Sequence, residues 1–371
     1  MRLTCAWQSV YTDVSLLVPH RPKTRSVTEV QPSQFPDVAV VQDDGTLLDR
    51  NDEWILTEAT RQFYKRSGKD DYHFVSFFPV SRPQTKPGHP EGDTHAYHVG
   101  VFNDIRGIGK GFRDRRRDYR EGGSSRLDSV HLFPPLRELP EDPEARVDKD
   151  NNDNTLSLIA QEVGHRWSAF VWFRDRDRGG VPSSALLGRD RSHWNFFLET
   201  GGSPLEGNEW RKDEYGKDGA LISSGRRGPY SRLDLYLMGL IPPEKVEKLE
   251  LLRHEEGRPE PLRDSHGAVR STKHGAAADA VTPESRPKPG FKVDGTKKKI
   301  ILIEDIIDFE GDRYPRFGEA PTEFRHAFAL LLRRDEEPTL ADVQKLNRIR
   351  TEWEKHFRNA TDTIGRVDTR L

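Results

Sequence analysis

The chain has 371 residues and a formal net charge of −2, with 32% charged and 33% hydrophobic residues. That length can bury a sizeable core in one large or two ordinary domains, and the balanced charge argues against a global basic field for nucleic acid or an anionic membrane. A single cysteine, Cys5, excludes an intrachain disulfide framework, and no run of 18 apolar residues is present to span a membrane.

Residues 1–34, interrupted by Pro19, Pro22 and Pro32, read as an irregular arm. Gln8, Ser9, Thr12 and Asp13 break any apolar stretch there, so no signal peptide is expected and the default compartment is the cytoplasm. Asp37–Gln42 reads as a short strand followed by a turn at Asp43–Gly45, and Asp52–Arg66 as an amphipathic helix stopped near Gly68. Strands are expected at Tyr72–Val80, His95–Phe102 and Val130–Phe133. His95 and His98, three apart on a strand, point to opposite faces and do not readily share a metal. Gly107–Gly111 (GIGKG) lacks phosphate-loop spacing and reads as a tight turn. Arg113–Arg120, with a net charge of +3, reads as a solvated loop, or as a patch that steers acidic substrates or polyanions.

The most informative stretch is Thr155–Phe173. Leu156, Ile159, Ala160, Val163, Trp167, Phe170 and Val171 recur at helical spacing, with Asp153 or Asn154 placed to cap the start. The opposite face carries Ser157, Gln161, Gly164, His165 and Ser168, small and weakly polar where a solvated face would carry Lys and Glu. The spacing therefore predicts a helix covered on one side and lining a cleft on the other. Beyond it, Arg174–Gly180 reads as a charged turn, and Ser231–Leu240 as a helix or a buried strand ended by Pro242 and Pro243. Arg253–Gly290 reads as a polar loop, Ile300–Ile307 resumes regular structure, and two helices are expected at 322–333 and 340–358, the second opened by Thr339 and Asp342. The expected organisation is an arm over 1–34, a core over 35–252, a loop or linker over 253–290, and a C-terminal strand and helices over 291–371 that pack on the core. Periodicity alone says α+β.

Within the central helix, Gln161-Glu162-Val163-Gly164-His165 differs in one residue from H-E-x-x-H, where two His one turn apart bind zinc and the Glu acts on the metal-bound water. Downstream come Ser192-His193-Trp194 and Ser203-Pro204-Leu205-Glu206-Gly207-Asn208. Together these segments resemble the zincin-type zinc metallopeptidases, in particular the leishmanolysin-like branch of the metzincins. They are also similar to a group of bacterial proteins sharing that core, over roughly residues 55 to 360.

The resemblance implies a zincin-like α+β fold with an N-terminal mixed sheet lobe, an active-site helix and a C-terminal, mainly helical lobe. It further implies a zinc ion held by His165 and His193, with Gln161 or a carboxylate completing the shell, Glu162 as general base, and Leu205 where the family places the Met of its turn. Leu and Met are close in volume and apolarity, so that exchange should cost less than about 1.5 kcal/mol. The implied substrate is a peptide or protein, and relatives with this core are often exported.

Gln161 weakens the metal site, because an amide oxygen is a poorer zinc donor than imidazole. The expected function is therefore a zinc metallopeptidase-family protein or, alternatively, an impaired pseudo-peptidase that binds peptide without cutting it. Plainer readings stand beside these: His165 as a buried, hydrogen-bonded histidine, Glu162 as an Arg-paired surface carboxylate, and Glu206 as either an accessory carboxylate or a turn residue. Tyr230 or Tyr236 could supply an oxyanion-binding phenol, or simply pack in the core.

Overall fold

A computed structural model of the chain describes residues 35–82, 96–124, 126–147, 152–216, 218–252, 281–294 and 297–371. The predicted arm, His95 and most of the predicted 253–290 linker lie outside the described residues. The order opens with β1 (Ala39–Gln42), α1 (Leu56–Ser67), β2 (Phe74–Pro79), β3 (Tyr97–Gly100), β4 (Phe102–Asn103), β5 (Arg113–Asp114), α2 (Arg116–Tyr119), β6 (Ser129–Leu132) and α3 (Thr155–Gly164). It continues with β7 (Phe173–Asp175), β8 (Val181–Ser183), β9 (Trp194–Glu199), β10 (Glu206–Asn208), β11 (Trp210–Lys212), β12 (Ala220–Ser223) and α4 (Arg232–Met238). The last elements are β13 (Leu249–Leu252), β14 (Lys292–Asp294), β15 (Lys298–Ile301), α5 (Ile303–Glu310), β16 (Glu323–Leu332), α6 (Leu340–Ala360) and β17 (Arg366–Asp368).

The chain is α+β, and its main sheet is mixed. Strands run in the order β1-β16-β2-β6-β3, parallel except for β3, which lies antiparallel on the edge. Both faces are covered. On β2, Phe74 and Phe78 enter one apolar core with α3 and α6, while Val75 and Phe77 enter a second with α1. α1 begins at Leu56, later than expected, and ends at Gly68, which adopts a left-handed conformation. Among the described residues, no helix is long and apolar enough to cross a membrane.

Two expectations are corrected. Residues 322–333 form not a helix but β16, a ten-residue strand between β1 and β2. Phe324, Phe328 and Leu330 face one core and Ala327, Ala329 and Leu331 the other, the period of two that a strand requires. The part after α3 is also not mainly helical: among the described residues it holds eleven strands and three α-helices. β10-β9-β13-β15 form a second sheet and β11-β12-β14 a third. Residues 291–371 thus supply an interior strand of the main sheet as well as α6, which packs in the core with α3.

Beneath the sheet runs a buried polar chain. Trp353 Nε1 donates to His326 Nδ1 (3.1 Å), which leaves the His326 proton on Nε2, facing Ser76 Oγ at 2.7 Å. Ser76 in turn donates to His131 Nδ1 (3.0 Å), and His131 Nε2–H reaches Ser129 Oγ (3.0 Å). These tautomers follow from Trp being a donor only.

Candidate functional site

α3 is the floor of the site. Asn154 caps it, accepting from Ser157 N at 2.8 Å, while Asp153 is engaged by Arg227. The helix is shorter than its apolar pattern: it ends at Gly164, and Trp167, Phe170 and Val171 belong to the chain leaving it. The reason is visible in the carbonyls, which side chains satisfy in place of a further turn. Tyr230 Oη donates to Ala160 O (2.6 Å), His98 Nδ1 to Glu162 O (2.9 Å) and Lys110 Nζ to His165 O (2.8 Å). The ammonium is well placed at the negative end of the helix dipole. Lys110 arrives on the Gly107–Gly111 turn, where Gly109 (φ +73°) packs so closely on the Phe170 backbone that a Cβ would lie 2.3 Å from Phe170 O.

The opposite wall is the segment Arg189–His193. Its ring faces the one on α3: the His165 and His193 centroids are 4.8 Å apart and the planes nearly perpendicular, at 88°. Both imidazoles are anchored through Nδ1, His165 to Ser168 O (3.3 Å) and His193 to Arg189 O (3.0 Å). Burial holds both neutral, His193 near pKa 3 with Arg189 adding to the effect, and His165 well below the usual range with His193 adding. The Nε2 lone pair of His193 is occupied. Arg189 Nη2 donates to it at 2.7 Å and Gln161 Nε2 at 3.2 Å.

Two carboxyls complete the arrangement. Glu162 is buried, 2% exposed, and not the surface carboxylate considered above. Burial pushes its pKa up to about 8 against the opposing pull of Arg189. Glu206 is also buried; Oε1 accepts from Arg189 Nη2 (2.6 Å) and Nε (3.2 Å), while Oε2 has no hydrogen-bond partner. Burial raises its pKa even with Arg189 alongside.

Leu205 lies under the helix end, where a Cβ on Gly164 would meet Leu205 Cδ2 at 2.4 Å and Tyr230 Cε1 at 3.0 Å. Gly164→Ala should therefore destabilise the chain by about 1–3 kcal/mol, since Leu205 is fully buried and cannot yield easily. A urea-denaturation midpoint equal to that of the parent protein would show that the packing is looser.

Not every residue singled out in the sequence reaches the cleft. Tyr230 is buried with its hydroxyl committed to the α3 backbone, and Tyr236 is buried in the core; neither lines the cleft. His98, Lys110, Arg189 and Arg286 do line it, a space of about 570 Å³ between β3, α3 and the Arg189–His193 wall. In the sequence His98 enters only as a histidine that does not readily share a metal, and Lys110 only within the Gly107–Gly111 turn; Arg189 and Arg286 carry no signal there.

A zinc ion needs three or four donors converging at about 2.0–2.3 Å. Gln161 turns its amide N–H₂, not its oxygen, toward His193, and a guanidinium already sits on the His193 lone pair. Among the described residues, no group of three or more His, Cys, Asp or Glu could hold a metal ion. The side chains as arranged do not fit zinc. No family model, curated protein or solved structure matches the chain.

Proposed function

We propose that the protein is a zincin-like pseudo-peptidase, which holds an extended peptide in this cleft without cleaving it. The observation behind this reading is the seat of Arg189. Its fixed positive charge lies on His193 Nε2 and against Glu206, in the position the sequence resemblance gives to a metal cation. One cation replaces another, and the buried carboxylate stays compensated. β3 supports the peptide part: its residues line the cleft, and it is the edge strand among the described residues, with an outer side on which an extended chain can pair.

The metallopeptidase reading draws on a different observation, the raised Glu162 carboxyl beside two imidazoles anchored through Nδ1. It requires Arg189 to leave the site. Elemental analysis of protein purified without added metal separates the two. The expected result is far less than one zinc per chain and no shift in melting temperature at micromolar zinc. In Gln161→His combined with Arg189→Met, one equivalent should bind and raise the melting temperature, as any ligand selective for the folded state does. Stoichiometric zinc in the parent protein, with peptide cleavage lost in Glu162→Ala, would overturn the pseudo-peptidase reading.

A further inference from the structure

Five cations line the cleft, and they divide into two groups. Arg166 is committed to Asn103 (2.6 Å) and Asp128 (3.2 Å), and Arg189 to Glu206, Asp190 and His193. Lys110, Arg113 and Arg286 have no carboxylate partner among the described residues. Lys110 Nζ donates to the His165 carbonyl and lies 4.5 Å above the Phe170 ring, leaving a donor for a ligand. Arg113 is exposed on β5, and among the described residues its side chain hydrogen-bonds the Gly100 carbonyl, at 3.4 Å. Arg286 is exposed at the opposite rim, on a segment tied to β9 by Phe196 N–H donating to Pro283 O (3.0 Å). The carboxylates of the lining are already used or buried: Asp128 by Arg166, Asp190 by Arg189, and Glu162 beneath the floor.

We infer that the peptide bound here is acidic, its carboxylates meeting Lys110 and Arg113 on one wall and Arg286 on the other. This rests on the peptide-binding reading above. Cations at separate points of the cleft lining meet the charges of an extended segment at more than one position, so recognition is by the charge pattern of the peptide and not by a single clamp. Burial, with Arg166 and Arg113 nearby, lowers the Lys110 pKa to about 7. An incoming carboxylate restores the charged form, so binding near neutral pH takes up a proton.

Fluorescence polarisation with labelled octapeptides tests the inference. One is Glu-rich with blocked ends, one neutral with a free C-terminal carboxylate, one neutral and blocked, and one Lys-rich. The blocked acidic peptide should bind at least about tenfold tighter than the blocked neutral one, a preference that falls with added salt. Tight binding of the neutral peptide only when its C-terminus is free would instead assign the cations to a chain end, and overturn the side-chain assignment. Arg286→Glu, at an exposed position that leaves the fold intact, should weaken the acidic peptide at least about tenfold. Titration calorimetry in buffers of different ionisation enthalpy should show proton uptake that Lys110→Met abolishes. Equal binding of all four peptides, or a single-stranded oligonucleotide binding more tightly than any of them, would overturn the acidic preference and leave the cleft's role in binding intact. No binding by any peptide would overturn the peptide reading itself, and this inference with it.

Discussion

Arg189→Met is expected to lower the unfolding free energy by about 3 kcal/mol, the usual loss when one member of a buried ion pair is removed. Glu206 is 1% exposed, and its Oε2 already lacks a partner. Without the guanidinium its carboxylate loses its hydrogen-bonded counter-charge, leaving Arg227 and Arg286 to act through space, and burial favours the protonated form more strongly. Gln161 would remain as the sole donor to His193 Nε2 among the contacts described. Glu206→Gln should be milder, because an amide needs no counter-charge. The double variant should lose clearly less than the sum of the two single losses, with a coupling of about 1–3 kcal/mol. Urea denaturation of the four proteins closes the cycle. Strictly additive losses would mean that Arg189 and Glu206 are neighbours in space but not in energy, and the cation-for-cation account would lose its basis.

A steep loss of stability in mild acid is the second large effect expected. His131 and His193 have pKa values near 3, and burial is the leading cause for both; His98, His165 and His326 lie well below the usual imidazole range for the same reason. An unfolded chain binds protons at these groups below about pH 6.5, whereas the folded one does not, so stability falls as pH drops from 6.5 toward 3. Each such group contributes about 1.4 kcal/mol per pH unit inside its window, so His131 and His193 alone remove about 5 kcal/mol between pH 6.5 and 4.5.

Glu162 acts with the opposite sign. Its folded pKa of about 8 gives stability that is complete below about pH 4.5 and lost as pH rises to 8. It offsets one histidine, not five. The chain from Trp353 to Ser129 shows why the imidazoles resist protonation: its donors and acceptors are all matched, and a second proton on His131 would face Ser76 O–H. Thermal melts at pH 5.0 and 7.5 should differ by well over 10 °C; equal midpoints would mean that these imidazoles are solvated.

The parts of the fold that could be read in the sequence are those whose surroundings are simple. α1 and α6 each expose one polar face, so their 3.6-residue pattern survives in the sequence, and Thr339 with Asp342 opens α6 as the capping spacing predicts. β16 was not legible. Covered on both faces, it has no polar side to alternate with, and Phe324, Ala327, Phe328 and Leu331 happen to fall three and four apart. The overrun of α3 has a similar cause. Trp167, Phe170 and Val171 stay in phase, but Lys110, His98 and Tyr230 satisfy the helix end from elsewhere.

In the site, the near H-E-x-x-H spacing pointed to Glu162 and His165 and the family resemblance to His193, and the chain brings them together. What spacing could not supply was the sign of the charge between them. Arg189 carries no signal of its own in a chain that is one-third charged. Gln161 signalled a weakened metal ligand, but not that its amide would turn a nitrogen toward His193.

The place of β16 between β1 and β2 also bears on how the protein is made. A ribosome would deliver β1, β2 and β6 long before residue 332, and until then β1 and β2 have no shared neighbour to hold them in register. The nascent chain must therefore wait for its last fifth, and a translation product stopped at 252 would leave β1 unpaired and one edge of β2 bare, which invites aggregation. Such a product should be insoluble, and mixing it with a separately made 281–371 segment during refolding should recover soluble material.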